Sequence, residues 1–215
     1  MADADEVEPT AAVYDSSVGD NGRTIFGRHG DLPKWDSRVA AWQDCEEANA
    51  TISLSMAVSG FTIDVNSTLA SVLNDLYDLG ADLSVPFDDP EPAKARIHDE
   101  HLVRLERAIE YYRQNASDLS GHVLPSGTVA ASSLFHARAV VRRAERMTWI
   151  AIQQHRQSVN VLTARYLNRL STLLFVLARS ANVPHGGDEY WQPEASYVAM
   201  EQEPEATDAD DLPTP

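Results

Sequence analysis

The residues whose types and spacing could do chemistry lie first of all between Leu124 and Ile150. After a Leu-Pro-Ser-Gly turn, about 25 residues follow without proline or glycine, which predicts one long helix. At about 3.6 residues per turn, this helix carries a cationic stripe beside an apolar one. The cationic stripe contains Arg138, Arg142, Arg146 and Trp149, with Glu145 at its side. Arginines four residues apart repel each other, so the stripe is expected to face anions.

Two kinds of anion are open for these arginines. One is the carboxylates of neighbouring helices, with the remaining arginines simply facing water. The other is a phosphate-bearing ligand held by the guanidinium groups. Nothing in this stretch alone decides between them.

A second stretch, from Tyr14 to Lys34, is rich in small, polar, turn-forming residues. Such backbone can direct several N–H groups at one phosphate, and Lys34 adds a charged donor. The GxxxxGK[ST] pattern of a Walker loop is absent. An ordinary surface loop would also have this composition, so the stretch predicts an irregular loop whose function is left open.

The elements that position these residues are predicted to be helices. Spacing and stop signals indicate helices over residues 36–60, 65–82, 98–117 and 158–182, in addition to the arginine-rich one. In the first of them, Val39, Trp42, Glu46, Asn49, Ser53 and Met56 share a face. His98 and His101 have a spacing that suits metal ligands. With no third ligand in view, they are expected to face solvent at a helix start.

Charge and composition exclude several classes of protein. The formal net charge is −16, and ten acidic residues lie in two terminal runs without Lys or Arg. We expect disordered acidic tails over 1–12 and 193–215 around one domain over 13–192, and no nucleic-acid surface. No apolar run approaches 18 residues, the start has no secretory signal, and Cys45 is the single cysteine. A cytoplasmic protein without a membrane span is the expectation.

Several motifs resemble those of the PduO-type corrinoid adenosyltransferases, in the same order, between Tyr14 and Trp191. They are SSVGDNGRT with KWDSR, EEAN, LYDLGADL, HARAVVRRAER and YLNRLS. The resemblance implies an all-α, up-and-down five-helix bundle with an N-terminal nucleotide-binding loop. It also implies a homotrimer with active sites between subunits.

The activity implied is transfer of the 5′-deoxyadenosyl group of ATP to cob(I)alamin, with Mg²⁺, giving adenosylcobalamin and triphosphate. A cob(II)alamin reductase and an adenosylcobalamin-dependent mutase are the implied partners. The resemblance assigns nucleotide binding to Ser16, Gly19, Asp20, Gly22, Thr24, Lys34, Glu145 and Asn168. It assigns catalytic or pocket-forming roles to Glu46, His122, Arg142 and Arg146, with Arg142 pairing to Glu46.

The chain departs from the family pattern at Gln43, His122, Ser126 and Thr172, and Glu46 replaces an aspartate. His122 stands where the family has an aromatic residue against the lower face of the corrin. Its imidazole could exclude the axial base by bulk, ligate cobalt itself, or lie in an ordinary surface loop. These departures keep open an alternative function: a non-catalytic paralogue that binds ATP or corrinoid as a sensor or carrier.

Overall fold

The computed structural model describes residues 17–91 and 93–197. The predicted tail over 1–12, the candidate Ser16 and most of the predicted tail over 193–215 lie outside these residues. The described strands are β1 (Arg23–Ile25) and β2 (Asp31–Pro33). The described α-helices are α1 (Ser37–Ser59), α2 (Ile63–Leu83), α3 (Asp99–Arg113), α4 (Val129–Gln154) and α5 (Val161–Asn182).

The five predicted helices are confirmed, with ends shifted by a few residues. Capping explains where they begin: Asp36, Thr128 and Asn160 each accept a hydrogen bond from a backbone N–H of the first turn. Gly60 ends α1 in the left-handed conformation. The expectation of an all-α five-helix bundle therefore holds over the described residues.

The hydrophobic core is built largely from the leucines of α5. The predicted core stripe of Leu167, Leu170, Leu174 and Leu177 is buried. The segment Val161–His185 has the length and apolarity of a membrane span, yet 61% of that window is buried inside the protein. Its apolar character is therefore accounted for by its place at the centre of the bundle, where it packs on α2, α3 and α4.

A seam of small residues joins α1 to α4. Ala41, Ala48 and Ser55 recur every seven residues on α1, and α4 has the same spacing in the fully buried alanines Ala137, Ala144 and Ala151. Near one end of the seam, the Ser55 hydroxyl donates to the Ser133 carbonyl oxygen at 3.3 Å. Small side chains at heptad spacing let two helices approach closely over their whole length.

A buried carboxylate ties the ends of α2 and α5 to the linker before α3. Asp82 is almost without exposure, and its Oδ1 accepts a 2.5 Å hydrogen bond from Arg96. Its Oδ2 accepts from the Ile97 N–H at 2.9 Å and from Asn160 Nδ2 at 2.7 Å. Because three hydrogen bonds, one of them from a cation, reach the two oxygens, the buried charge is compensated inside the protein.

The predicted irregular loop is wrong in one respect, because part of it is a β-hairpin. Strands β1 and β2 pair antiparallel, with Thr24 opposite Leu32. Strands of three residues are too short to give a legible alternation of apolar and polar side chains. The hairpin leads directly into α1 and carries Thr24 and Lys34.

The seam generates a stability prediction. Ala144→Leu should lower the free energy of unfolding by about 1–3 kcal/mol, because extra methylenes in a packed seam force neighbouring helices apart. Ala139→Leu is the matched control, since Ala139 is exposed on the same helix, and it should change stability by less than about 0.5 kcal/mol. Urea unfolding followed by circular dichroism measures both. Equal effects of the two substitutions would contradict the assignment of the seam.

Candidate active site

The turn before β1 forms a tight loop on which the Lys34 ammonium group lies. Gly19 and Gly22 have φ angles of 85° and 75°, in the left-handed region that favours glycine. The Gly22 carbonyl oxygen accepts a 2.9 Å hydrogen bond from the Lys34 N–H, which closes the base of the hairpin. A Cβ atom at Gly19 would stand 2.8 Å from Lys34 Nζ. The loop and Lys34 therefore pack as one unit, with Asp20 exposed in the turn.

A groove of about 940 Å³ runs between the hairpin, α1 and α2. This volume is near the upper end of small-molecule sites, about 300–1,000 Å³. Its polar lining residues are Thr24, Lys34, Gln43, Glu46, Glu47, Asn49, Ser53, Tyr77 and Ser84. The face of α1 that spacing predicted as partly apolar is the wall of this groove, whereas the opposite face of α1 enters the core.

The arginine face of α4 carries the second group of candidates. Arg142 and Arg146 are exposed, and the Arg146 guanidinium donates to the Arg142 carbonyl oxygen at 3.3 Å. Asn168 of α5 donates from Nδ2 to Glu145 Oε1 at 3.2 Å, which joins the two predicted nucleotide contacts. Arg138 lies over the ring of Phe175, with Cζ 4.9 Å from the centroid. These contacts bring Arg142, Glu145, Arg146 and Asn168 to one surface.

Within one chain, the predicted pair of Arg142 with Glu46 is not made. Its neighbour Arg143 instead contacts Glu47 of α1 and lies 3.6 Å from Asp44. Of the two open interpretations of the arginines, carboxylate pairing therefore describes Arg143. Among the described residues, Arg142 and Arg146 have no ion-pair partner. No residue that lines the groove comes from α4 or α5, so the candidate site is divided between two surfaces.

His122 lies in the loop between α3 and α4 and is held by the chain that follows α5. Its carbonyl oxygen accepts a 2.8 Å hydrogen bond from the Trp191 N–H, and its ring meets the Trp191 ring edge to face, with centroids 6.1 Å apart. Both side chains are exposed. Next along the loop, Val123 pairs with Tyr190. Sequence reasoning missed Trp191, because no periodic pattern links residues some 70 positions apart.

Of the two histidines at the start of α3, His98 is exposed as expected, whereas His101 is half-buried beside α2. His101 and two aspartates of α2, Asp75 and Asp78, have ligand atoms within 4.8 Å of one another. However, Asp75 already accepts from the Tyr166 hydroxyl at 2.7 Å and pairs with Arg104. His101 Nδ1 accepts a hydrogen bond from the backbone N–H of His98, so in the neutral ring the proton is on Nε2. That nitrogen therefore has no lone pair for a metal.

An ion pair at the start of α1 holds the Arg38 guanidinium beside the hairpin residue His29. Arg38 donates from Nε to Asp36 Oδ1 at 2.9 Å and from the terminal nitrogen to Oδ2 at 2.8 Å. Asp36 Oδ1 also caps α1 by accepting from the Arg38 N–H. Hydrogen bonding to Arg38 lowers the pKa of Asp36 from 3.8 to about 2, against an opposing effect of burial. The carboxylate is thus charged at every physiological pH.

The profile of the cobalamin adenosyltransferase family matches residues 15–181, and the chain therefore belongs to this family. Two curated relatives show which enzymes of this family the chain is similar to. A corrinoid adenosyltransferase of Mycobacterium leprae is 41% identical over 180 residues, which cover 82% of this chain and 93% of the relative. The corrinoid adenosyltransferase PduO of Salmonella typhimurium is 32% identical over 171 residues, covering 79% of this chain and 49% of that protein.

The fold is also that of solved PduO-type enzymes. The chain matches a variant ATP:corrinoid adenosyltransferase from Lactobacillus reuteri, in which one phenylalanine is replaced by histidine, complexed with cobalamin and ATP. The TM-score is 0.73, with 31% sequence identity, covering 83% of this chain and 96% of that one. The resemblance of the motifs is therefore confirmed by both sequence and fold.

The Asp36–Arg38 pair generates a pH prediction. Asp36→Asn keeps a capping side chain but removes the charge, and should cost about 2 kcal/mol of unfolding free energy at pH 7. Because the folded-state pKa is lowered, this stabilisation is complete above about pH 4 and disappears as the pH falls through 2. Urea unfolding of both proteins at pH 7, 4 and 2.5 measures the difference.

The control for Asp36→Asn is Asp31→Asn, which removes an exposed carboxylate paired with Arg23 in the same hairpin. An exposed pair contributes about 0–1 kcal/mol. If the difference in unfolding free energy between wild type and Asp36→Asn stayed constant from pH 7 to 2.5, that result would contradict a charge effect.

Proposed function

We propose that this chain transfers the 5′-deoxyadenosyl group of ATP to cob(I)alamin, giving adenosylcobalamin and triphosphate. The observation that carries the proposal is the glycine loop with Lys34 at the edge of a nucleotide-sized groove, in a chain of this family. The relatives from Mycobacterium leprae and Salmonella are corrinoid adenosyltransferases, and the Lactobacillus enzyme binds cobalamin and ATP.

The reaction is a nucleophilic displacement at carbon. The electron pair of Co(I) forms the bond to C5′, the C5′–O bond breaks, and triphosphate leaves with the bonding pair. No side-chain nucleophile is required. The contribution of the protein is to orient C5′ towards cobalt and to stabilise the negative charge on the leaving group.

Charge stabilisation is assigned to Lys34 and Arg146. The Lys34 ammonium lies on the loop made by Gly19 and Gly22, which holds the cation at the edge of the groove. Arg146 is exposed and without an ion-pair partner among the described residues of its own chain, which leaves its guanidinium available to triphosphate. Asn168 and Glu145, hydrogen-bonded to each other, orient the nucleotide.

The groove also fits Mg²⁺ bound to the triphosphate. It offers a hard oxygen donor in the Thr24 hydroxyl. Mg²⁺ typically takes one or two protein oxygens and completes its shell with phosphate oxygens and water. When bound, it would neutralise charge on the leaving group together with Lys34.

The divided site supports a homotrimer whose active sites lie between subunits. Glu46 in the groove and Arg142 on α4 both lack an ion pair within the described part of their own chain, and a second copy can supply each with the other. Two large apolar side chains that line the groove are exposed, Ile25 at 74% and Tyr77 at 73%, and Trp35, next to Lys34, is 77% exposed. Apolar side chains concentrated at one surface are typical of an interaction site.

His122 is assigned to the lower face of the corrin, where its bulk excludes the axial base. Its ring is braced by the edge-to-face contact with Trp191, so the two rings form one apolar wall. The Lactobacillus variant with histidine in place of one phenylalanine was obtained with both cobalamin and ATP. This supports a histidine as compatible with both substrates.

The remaining parts of the proposal concern the location, the partners and the domain bounds of the protein. The protein is cytoplasmic and receives its corrinoid from a cob(II)alamin reductase, because Co(I) must be generated before the displacement. The product is passed to an adenosylcobalamin-dependent mutase. The domain extends over 13–192, with acidic tails on either side.

Anaerobic turnover tests the function. Purified protein, Mg-ATP and chemically reduced cob(I)alamin should give the absorbance change to adenosylcobalamin above a no-protein control. Arg146→Ala should lower kcat/KM by about 100-fold or more, because a charge-stabilising donor is lost. The matched control is Arg165→Ala, which removes an exposed arginine of α5. Saturable ATP binding without turnover by wild type would favour the non-catalytic paralogue.

A complementation assay extends this prediction to the shared site. Lys34→Ala and Arg146→Ala are each expected to be nearly inactive as pure trimers. After the two are unfolded together and refolded, about a quarter of the sites in a random mixture regain both side chains. Activity that stays at the level of the separate variants would contradict a site shared between subunits. An Arg146→Ala protein that folds as a trimer and keeps the kcat/KM of wild type would contradict it as well.

His122 generates a separate prediction. His122→Ala should lower the fraction of four-coordinate cob(II)alamin formed with Mg-ATP, whereas His122→Phe should keep or raise it, because bulk rather than ligation excludes the base. Electron paramagnetic resonance reports the coordination number. A nitrogen-coordinated cobalt in wild type that disappears in His122→Phe would instead identify His122 as a cobalt ligand.

A further inference from the structure

The tip of the nucleotide-binding hairpin is docked on the end of α2 at close range. Gly27 has a φ angle of 50°, and a Cβ atom there would overlap the Ser84 carbonyl oxygen. The same oxygen accepts a 3.0 Å hydrogen bond from the Arg28 N–H. Phe26 is buried beneath the tip and meets Trp42 edge to face in the wall of the groove. The tip is therefore part of the structure that shapes the groove.

His29 links this tip to two helices at once. Its Nδ1 lies 3.1 Å from a terminal nitrogen of Arg38, and its Nε2 lies 3.0 Å from the Leu83 carbonyl oxygen. Arginine can only donate and a carbonyl oxygen can only accept. Nδ1 must therefore be the acceptor and Nε2 the protonated donor, so this geometry requires the neutral imidazole.

We propose that His29 is a proton-sensitive positioning residue that holds the nucleotide-binding hairpin against α1 and α2 and releases it in acid, weakening Mg-ATP binding. The inference rests on the proposed function for its effect on ATP. The docking itself does not depend on that function, because it rests on the hydrogen bonds of His29, the Arg28–Ser84 hydrogen bond and the burial of Phe26. His29 does not line the groove and does not contact the nucleotide in the proposed site.

Protonation of His29 places an N–H group on Nδ1, facing the N–H of Arg38. The hydrogen bond is then replaced by a contact between two donors and two positive charges. The Leu83 carbonyl oxygen can accept from Nε2 in either protonation state, so it does not oppose the change. The repulsion from Arg38 displaces the ring and, with it, the tip from α1 and α2. Because β2 joins the tip to Lys34 within five residues, movement of the tip moves the phosphate-binding cation.

The groups that surround His29 come from three elements, and two of these elements contribute charges. On its own hairpin the ring of Phe26 stacks against it, with centroids 5.6 Å apart. The start of α1 contributes Arg38 and Asp36, and the end of α4 contributes His155, whose Nε2 lies 3.8 Å from Asp36 Oδ1. Asp36 is the charge that favours a protonated imidazole, but both of its oxygens already bind Arg38.

The balance of these influences favours the neutral ring. Burial is the largest influence and lowers the pKa of His29. Arg38 and His155 lower this pKa further, whereas the hydrogen bond to the Leu83 carbonyl oxygen and the charge of Asp36 raise it. Burial also lowers the pKa of His155, with Arg38 adding to the effect and Asp36 opposing it. A group whose folded-state pKa is lowered is neutral above it, so the docked hairpin is retained near pH 8 and lost on acidification.

The test compares wild type with His29→Gln at pH 8 and pH 5.5, using Mg-ATP and isothermal titration calorimetry. A glutamine amide supplies an acceptor for Arg38 and a donor for Leu83 but does not titrate. At pH 8 the two proteins should bind within about twofold. At pH 5.5 wild type should bind about tenfold more weakly than His29→Gln, the loss expected for a hydrogen bond to a charged group. The titration of ATP affects both proteins equally, so it cancels in the ratio of their dissociation constants at each pH.

The matched control is His185→Gln, which replaces an exposed histidine after α5 and should follow the wild-type pH profile. His29→Leu removes both hydrogen bonds and should bind weakly at both pH values. Equal pH profiles for wild type and His29→Gln would overturn the proposal.

Amide hydrogen exchange tests the docking without any ligand. In wild type, the Arg28 and Phe26 amides should exchange about tenfold faster at pH 5.5 than at pH 8, after correction for the intrinsic rate. Unchanged protection of both amides would overturn the inference. If the hairpin is released in acid but wild type binds no Mg-ATP at pH 8, the proposed function fails and the docking switch stands.

Discussion

The close contact between α1 and α4 is the constraint on which the rest of the structure depends. Alanines and a serine at seven-residue spacing leave each helix only one orientation in which the seam closes. With Ala144 fixed in that seam, Arg142 and Arg146 on either side of it must project away from the core. The same orientation turns Glu46 towards the groove, so packing and charge placement are set together.

The parts of the chain that are not helical are attached by charged joints as well as by apolar packing, such as that of Phe26 and Ile97. Asp82 joins the linker before α3 to the end of α2 and the start of α5. Arg38 of α1, oriented by Asp36, joins α1 to His29 of the hairpin. A buried pair is not a cheap source of stability, since desolvation offsets most of the attraction. What such a joint provides is direction. Its hydrogen bonds fix one geometry, as a hairpin that carries Lys34 requires.

The sequence predicts the helices well because long 3.6-residue periods are local signals, and Leu167 to Leu177 occupy the core as expected. It fails where a decision depends on distant residues. The polar face of α1 could not be recognised as a groove wall without α2 and the hairpin beside it. Nor could Asp75 and Asp82 be recognised as buried, because their partners lie 29 and 14 residues away. Motif matching, by contrast, predicted residues on both surfaces: Lys34 and Glu46 line the groove, and Arg142 and Arg146 are exposed on α4.

The separation of those halves has an energetic consequence. Arg142 and Arg146 repel each other across one helical turn. Glu46 in the groove likewise has no ion-pair partner within the part of the chain that the structure describes. In the proposed trimer, a carboxylate of one subunit offsets Arg142 of the next, and triphosphate offsets Arg146. Subunit association and nucleotide binding then relieve the same repulsion on α4, and each favours the other by a shared free energy. In the proposed trimer, the cationic stripe of α4 would thus couple subunit assembly to nucleotide binding.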